Sequence, residues 1–310
     1  GRVTEEEAVL SAIGAKVEIC RFPEGSKEAM DMFRDADGLL VNLFPITEKI
    51  ISGLEKCRVL SRYGVGYDNV DVAAATGKGI WVARVPDYAM EEVAVQAAAL
   101  MLGAVRNVPF KDRRIRQGGW NLTVEQPTRR MSGKTLGIVG FGAIGRQFWH
   151  RMRNFGFGRC LVFDPFVSAD AVAKEGCEKT EIDELVSSAE YISVHAPATP
   201  ETVNLISRAR IAMMKPTAII VNTSRGALVD EDALAEALAA GRIAYAGLDV
   251  FKKEPLPADS PLRGLDNVIL SDHAGFYSEE ALSELKTKTA LNIANVLTGK
   301  PPVYPVNTIG

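Results

Sequence analysis

The chain has 310 residues, 47% of them hydrophobic and 24% charged, which is enough for one large or two ordinary domains and excludes disorder, collagen and coiled coil. Thirty-six Lys and Arg against 39 Asp and Glu leave a formal net charge of -3, so no global field attracts nucleic acid or an anionic membrane. With only three histidines, His150, His195 and His273, any imidazole chemistry has three candidates.

In chain order, Thr4 to Ile13 has a helical pattern with an acidic first turn, and Lys16 to Cys20 is a short β-rich run. A helix from Lys27 to Arg34, a strand Gly38 to Val41, a helix from Thr47 and strands Arg58 to Leu60 and Ile80 to Ala83 follow. This alternation predicts a parallel α/β sheet, and because it opens on a helix, a first strand is expected upstream of Gly1. Tyr88 to Arg106 is a helix apolar nearly all round, which must be buried between layers, domains or subunits. Asn107 to Thr128 is polar, Arg-rich and punctuated by Gly and Pro. A second alternation then places strands at Thr135 to Val139, Cys160 to Phe163, Tyr191 to Val194, Ala218 to Asn222, Ala244 to Leu248 and Val268 to Leu270. The last helix, Ser278 to Leu297, stops at Gly299 with Pro301 and Pro302 behind it.

The four cysteines, Cys20, Cys57, Cys160 and Cys177, stand singly, so reduced thiols are expected and no metal site. The apolar stretches are strand-length or broken by charge, and the first residues lack a basic segment followed by an apolar one. The sequence therefore reads as soluble and cytoplasmic.

The strand Leu136 to Val139 runs into Gly140-Phe-Gly142-Ala-Ile-Gly145, and a helical pattern starts at once. Here the first glycine permits a tight turn, the second lets backbone approach a pyrophosphate, and the third lets helix pack on strand. Asp164 ends the next strand, nineteen residues after Gly145, where a carboxylate accepts from an adenosine ribose and repels a 2′-phosphate. NAD is expected over NADP. Gly133-Lys134-Thr135 is no P-loop, since position 128 is Thr and the strand follows instead of preceding.

Arg225, Glu254 and His273 each follow the carboxyl end of a successive strand, where an open α/β sheet binds ligands. An Arg fork holds a carboxylate and polarises the adjacent carbonyl, a His exchanges the alcohol proton, and a carboxylate orients the His. Together they suit carbonyl/alcohol interconversion beside a nicotinamide. His195 also ends a strand but has no nearby acid, and reads as lining the cofactor cleft. His150, mid-helix, reads as a surface or packing residue.

These residues resemble the D-isomer-specific 2-hydroxyacid dehydrogenases along nearly the whole chain. The resemblance rests on Ser61-Arg-Tyr-Gly-Val-Gly-Tyr-Asp-Asn-Val-Asp71, Gly140 to Gly145 with Asp164, Val194-His-Ala-Pro-Ala-Thr-Pro200, Val221-Asn-Thr-Ser-Arg-Gly-Ala227, Leu248-Asp-Val-Phe251 with Glu254-Pro255, and His273. Asp272-His-Ala-Gly-Phe-Tyr-Ser-Glu279 and Val85-Pro-Asp-Tyr88 are most similar to the branch containing the C-terminal-binding proteins, NADH-dependent corepressors that kept the dehydrogenase fold. The resemblance implies two doubly wound domains: a discontinuous flavodoxin-like substrate domain, 1–84 and 276–310, and a Rossmann NAD-binding domain, 85–275. It implies Arg225 on the substrate carboxylate and carbonyl, His273 as acid/base with Glu254 as its partner, and Val65 and Gly66 backbone on the carboxylate. It also implies Ala143 and Ile144 at the pyrophosphate, and Thr223, Ser224 and Asp249 at the nicotinamide end. His195, Ala196 and Gly275 are expected beside them along the cofactor cleft.

The implied partner is a small 2-hydroxy or 2-oxo acid, and a homodimer is implied through the 88–106 helix and the 107–130 arm. No nucleic acid is expected as a direct partner and no membrane. The rival reading is an NAD(H)-sensing corepressor-like binding protein with incidental dehydrogenase activity. Relatives commonly carry Asn where Arg84 stands, an acid at Val95 and Pro at Asp272, and the corepressor branch usually carries Trp where Phe276 stands. Arg84 reads either as an extra positive group for a phosphate or second carboxylate, or as a solvated hinge arginine.

Overall fold

Short β-branched runs separated by capped helices set the architecture of the computed structural model, which describes residues 3–23, 26–120 and 127–309. The chain divides into two units, Gly1–Ala89 with Tyr277–Gly310, and Met90–Phe276.

The first unit carries strands β1 (Gly38–Val41), β2 (Val59–Arg62) and β3 (Trp81–Ala83), parallel and in that order. Three of its helices start on side-chain caps: Ser26 accepts from Ala29 N, Asp71 from Ala74 N and Ser278 from Ala281 N. The helix Glu279–Leu297 buries Ala290, Ile293, Ala294 and Val296 with Val59 and Leu10. Leu60, on the opposite face of β2, is buried with Ile51, Leu54 and Val82. Each such aliphatic side chain contributes about 1.5–3 kcal/mol by leaving water. The expected strand at Lys16 to Cys20 does not form: the segment has no ladder partner among the described residues, and β propensity without pairing leaves backbone groups to water. The helix Val72–Gly77 forms where the sequence pattern predicts no element, opened by the Asp71 cap.

The second unit holds β4 (Thr135–Val139), β5 (Arg159–Phe163), β6 (Glu178–Lys179), β7 (Tyr191–Val194), β8 (Ile219–Asn222), β9 (Tyr245–Leu248) and β10 (Val268–Leu270). All are parallel, in the order β10-β9-β8-β7-β4-β5-β6. Strands β7, β8 and β9 are buried at every position, as expected when helices cover both faces of a sheet. The sheet winds outward in both directions from the gap between β4 and β7, which makes that gap the topological switch point. Strand β6 was not foreseen because both of its residues are charged and exposed; its pairing with Leu161 and Val162 makes it a strand.

The long apolar helix runs Met90–Val105 and buries Ala94, Ala97, Ala98, Leu100, Met101, Ala104 and Val105 against β8, β9 and the helix Ala143–Met152. Much of its apolar character is therefore explained inside its own unit. Among the described residues no single helix is long and apolar enough to cross a membrane. Part of the segment read as a polar arm is helical, Val108–Arg116 with Pro109 in its first turn; positions 121–126 of the arm lie outside the described residues. The cysteines are all free thiols, but Cys160 and Cys177 are neighbours, brought together by the β5–β6 register. The Cys177 thiol and burial together push the Cys160 thiol well above its ordinary range.

Candidate functional site

Because every strand of the second unit points the same way, the residues after β4, β5, β7, β8, β9 and β10 share one edge of the sheet. They are Gly140, Asp164, His195, Thr223, Asp249 and Ser271.

At β4 the chain turns sharply. Gly140 has φ +91°, and a Cβ there would lie 2.6 Å from Ala196 N; one on Gly145 would lie 2.3 Å from Gly140 O. Neither position admits a side chain. Gly142, by contrast, caps the helix Ala143–Met152 with nothing within 4 Å of an added Cβ. A helix N-terminus without a side-chain cap, beginning at Ala143 and Ile144 beside that open space, fits a pyrophosphate. Asp164, 9% exposed, accepts from Phe141 N (2.7 Å) and Phe166 N (2.8 Å). Its carboxylate thereby holds the glycine turn against the end of β5 and keeps lone pairs for further donors.

His195 N donates to Val139 O (2.7 Å), and its ring packs on Phe148 with Nε2 2.9 Å from Ser193 Oγ. Burial lowers its pKa to about 3, so the ring is neutral. Two buried polar atoms at this edge, His195 Nδ1 and Thr223 Oγ1, have no hydrogen-bond partner among the described residues. Such orphans mark places where a ligand completes the network. Ser224 bridges the neighbouring strands, donating from Oγ to Val194 O (2.9 Å) and from N to Asn222 Oδ1 (3.0 Å).

Beyond β8, Arg225 Nη1 donates to Ser224 O (2.8 Å). The next residue, Gly226, touches the segment after β9: a Cβ there would stand 2.0 Å from Phe251 C. That segment leads to Glu254, whose Oε1 accepts from Phe251 N (2.9 Å) and whose Oε2 is 2.7 Å from His273 Nδ1. His273 adopts φ +58°, a left-handed conformation that persists in a non-glycine residue only when its surroundings impose it. Asp249, 1% exposed, imposes it. Its carbonyl accepts from His273 N (2.8 Å), its Oδ1 from Ser271 Oγ (2.5 Å) and Ala274 N (3.1 Å), and its Oδ2 from Gly275 N (2.9 Å). Gln96 Nε2 donates to Ser271 Oγ (3.1 Å) behind it.

In the first unit Val65 and Gly66 follow β2. Gly64 has φ +135°, and the Arg62 guanidinium, which donates to Tyr63 O, occupies the place a Cβ would take.

Residues 98–275, which contain every second-unit site residue named so far except Gln96, match the family model described as D-isomer specific 2-hydroxyacid dehydrogenase, NAD binding domain. The chain belongs to the D-isomer-specific 2-hydroxyacid dehydrogenase family. It is 42% identical over 283 residues to D-3-phosphoglycerate dehydrogenase of Methanocaldococcus jannaschii, covering 91% of this chain and 53% of that protein. It is 39% identical over 290 residues to glyoxylate reductase of Korarchaeum cryptofilum, covering 92% of this chain and 87% of that protein. The crystal structure of D-lactate dehydrogenase from Aquifex aeolicus complexed with NAD and lactic acid superposes with a TM-score of 0.86 at 26% identity, over 98% of this chain and 96% of that one. The chain spans about half the length of the curated phosphoglycerate dehydrogenases it matches.

Within this family's NAD-binding domain, the sequence reading missed the supports. Ser193, Ser271 and Gln96 carry no motif or spacing signal, since each is defined by what it touches across strands, and Gly226 stands inside the Val221–Ala227 motif without a role that the motif reveals. Asp249, expected at the nicotinamide end, also anchors the loop that carries His273. His150 pairs with Glu175 (2.8 Å) on the exposed surface, away from the strand ends.

Proposed function

We propose that this chain is an NAD-dependent oxidoreductase that interconverts a D-2-hydroxy acid and its 2-oxo acid. The observation carrying the proposal is the 2.7 Å pairing of His273 Nδ1 with Glu254 Oε2, at the strand edge that also forms the NAD cradle. With Nδ1 facing the carboxylate, His273 Nε2 is left to give a proton to the carbonyl oxygen or take one from the alcohol. Glu254 fixes the orientation of the ring, and Arg225 holds the carboxylate and polarises the carbonyl. In the first unit, the Val65 and Gly66 N–H groups are the proposed donors to a substrate carboxylate. NAD(H), when bound, supplies or accepts the hydride. Ala143 and Ile144 N–H groups hold the pyrophosphate and Asp164 the ribose. His195, Ala196, Thr223, Ser224, Asp249 and Gly275 line the nicotinamide side.

Two copies are proposed to associate through residues 88–130, where Val95, Val108, Ile115 and Trp120 are exposed apolar side chains.

The test is turnover of a panel of 2-oxo acids with NADH at 340 nm, in the wild type and His273→Ala. Loss of turnover by a factor of roughly 10² or more in the variant, with NADH binding largely kept, supports the assignment. Unimpaired turnover sinks it, and no turnover of any acid by a wild type that binds NADH tightly favours a purely NAD(H)-sensing role.

A further inference from the structure

Strand β3 ends at Arg84, whose main chain is fixed on both sides: its N–H donates to Tyr304 O (3.1 Å), and its carbonyl accepts from Asn292 Nδ2 (3.2 Å). Asn292 is itself fully buried, so the origin of the side chain is pinned. The guanidinium extends along the loop after β2. Its Nη1 donates to Val65 O across a long 3.4 Å, and its Cζ stands 5.6 Å from the centre of the Tyr67 ring. A freely solvated arginine needs neither contact; a carbonyl and a ring face together aim the fork.

Arg84 has no carboxylate partner among the described residues. The acid nearest in sequence, Asp87, is paired with Lys288 (2.9 Å) and accepts from Tyr304 OH (2.8 Å). Most of the five guanidinium donors are therefore uncommitted. Beside them, the Val65 and Gly66 N–H groups donate to no carbonyl among the described residues, and Val65 is 37% exposed. One short loop thus presents main-chain donors and an oriented cation side by side.

We propose that Arg84 is a specificity-determining residue that binds a second anionic group, a carboxylate or a phosphate, on a short 2-oxo or 2-hydroxy acid. The proposal rests on the preceding reading for the place of the first carboxylate, held by the Val65 and Gly66 N–H groups. A monoanionic acid leaves the Arg84 fork unused; a dianionic acid satisfies both halves of the loop.

The experiment compares wild type, Arg84→Gln and Arg84→Lys with NADH and four acids: the monoanions glyoxylate and pyruvate, the 2-oxo dicarboxylate oxaloacetate, and the phosphorylated 2-oxo acid 3-phosphohydroxypyruvate. The wild type is expected to prefer a dianion, and the oxaloacetate and phospho-acid arms identify which second anion it takes. In Arg84→Gln the ratio of kcat/KM for that dianion to kcat/KM for pyruvate is expected to fall roughly 10- to 100-fold, chiefly through KM, with Arg84→Lys between. A ratio that stays within about threefold overturns the proposal, whether both activities hold or both fall together.

Calorimetric binding of D-malate, D-3-phosphoglycerate and D-lactate to the NADH-loaded protein gives a readout independent of turnover. Selective weakening of a dianion in Arg84→Gln supports the role, and equal binding to both proteins overturns it. If no acid is turned over, the dehydrogenase reading fails, and this binding comparison alone decides the role of Arg84.

Discussion

Glu254 Oε2 and His273 Nδ1 lie 2.7 Å apart across nineteen positions of sequence, because β9 and β10 are neighbours and the segments after them leave the sheet at the same edge. Glu254→Gln removes the charge while keeping an oxygen that can accept from Phe251 N or face the ring. In steady-state assays kcat is expected to fall about 10- to 100-fold with a smaller change in KM. An unchanged kcat would remove Glu254 from the proton-transfer pair.

His195 makes stability depend on pH. Burial lowers its pKa from 6.5 to about 3, so below pH 6.5 the unfolded chain binds a proton that the folded chain refuses. Its contribution is fully present above pH 6.5 and is lost as the pH falls toward 3, with a slope approaching about 1.4 kcal/mol per pH unit. Carboxylates titrate in the same direction, so the comparison is with His195→Asn. Urea midpoints measured from pH 7 to 4.5 are expected to fall less steeply in the variant, and parallel curves would contradict the assignment.

Two glycines separate folding from binding. Alanine at Gly226 places a Cβ 2.0 Å from Phe251 C, whereas alanine at Gly142 meets nothing within 4 Å. Gly226→Ala is expected to lose about 2 kcal/mol or more of unfolding free energy. Gly142→Ala is expected to melt close to wild type yet bind NADH at least about tenfold more weakly, because its methyl group occupies the approach to the pyrophosphate. Thermal melts with and without NADH distinguish the two.

Asp164 sets the cofactor preference in this reading. Asp164→Asn retains one acceptor for the N–H groups of Phe141 and Phe166 and removes the charge that repels a 2′-phosphate. The ratio of kcat/KM for NADH to that for NADPH is expected to drop about 10- to 100-fold. A ratio that does not move would assign the preference to other residues.

The nucleotide turn was legible in the sequence because its requirements are local. Gly140 and Gly145 stand where backbone sterics forbid a side chain, Gly142 leaves open space beside the helix start, and a strand and a helix flank all three within ten residues. Arg225, Glu254 and His273 were legible for a related reason: a polar residue just past an apolar strand of a parallel sheet has one edge on which to lie. Lys16 to Cys20 and β6 were misread because propensity describes a segment, whereas a strand is decided by its partner. The helix Val108–Arg116 was hidden because it buries no residue, so no apolar stripe marks it among its arginines.

From the sequence alone came the α/β class, the phosphate cradle, its acidic partner and the three groups suited to carbonyl chemistry, since these follow from residue type and from distances of a few residues along the chain. The tertiary structure added what spacing along the chain does not give, the 2.7 Å approach of Glu254 Oε2 to the His273 ring. It also decided that Asp249 anchors the strained loop beneath His273, that Cys160 and Cys177 touch, and that Arg84 is aimed along the Val65 loop. These are matters of strand register and burial, in which residues far apart in sequence compete for one neighbour, and no local pattern records which of them wins.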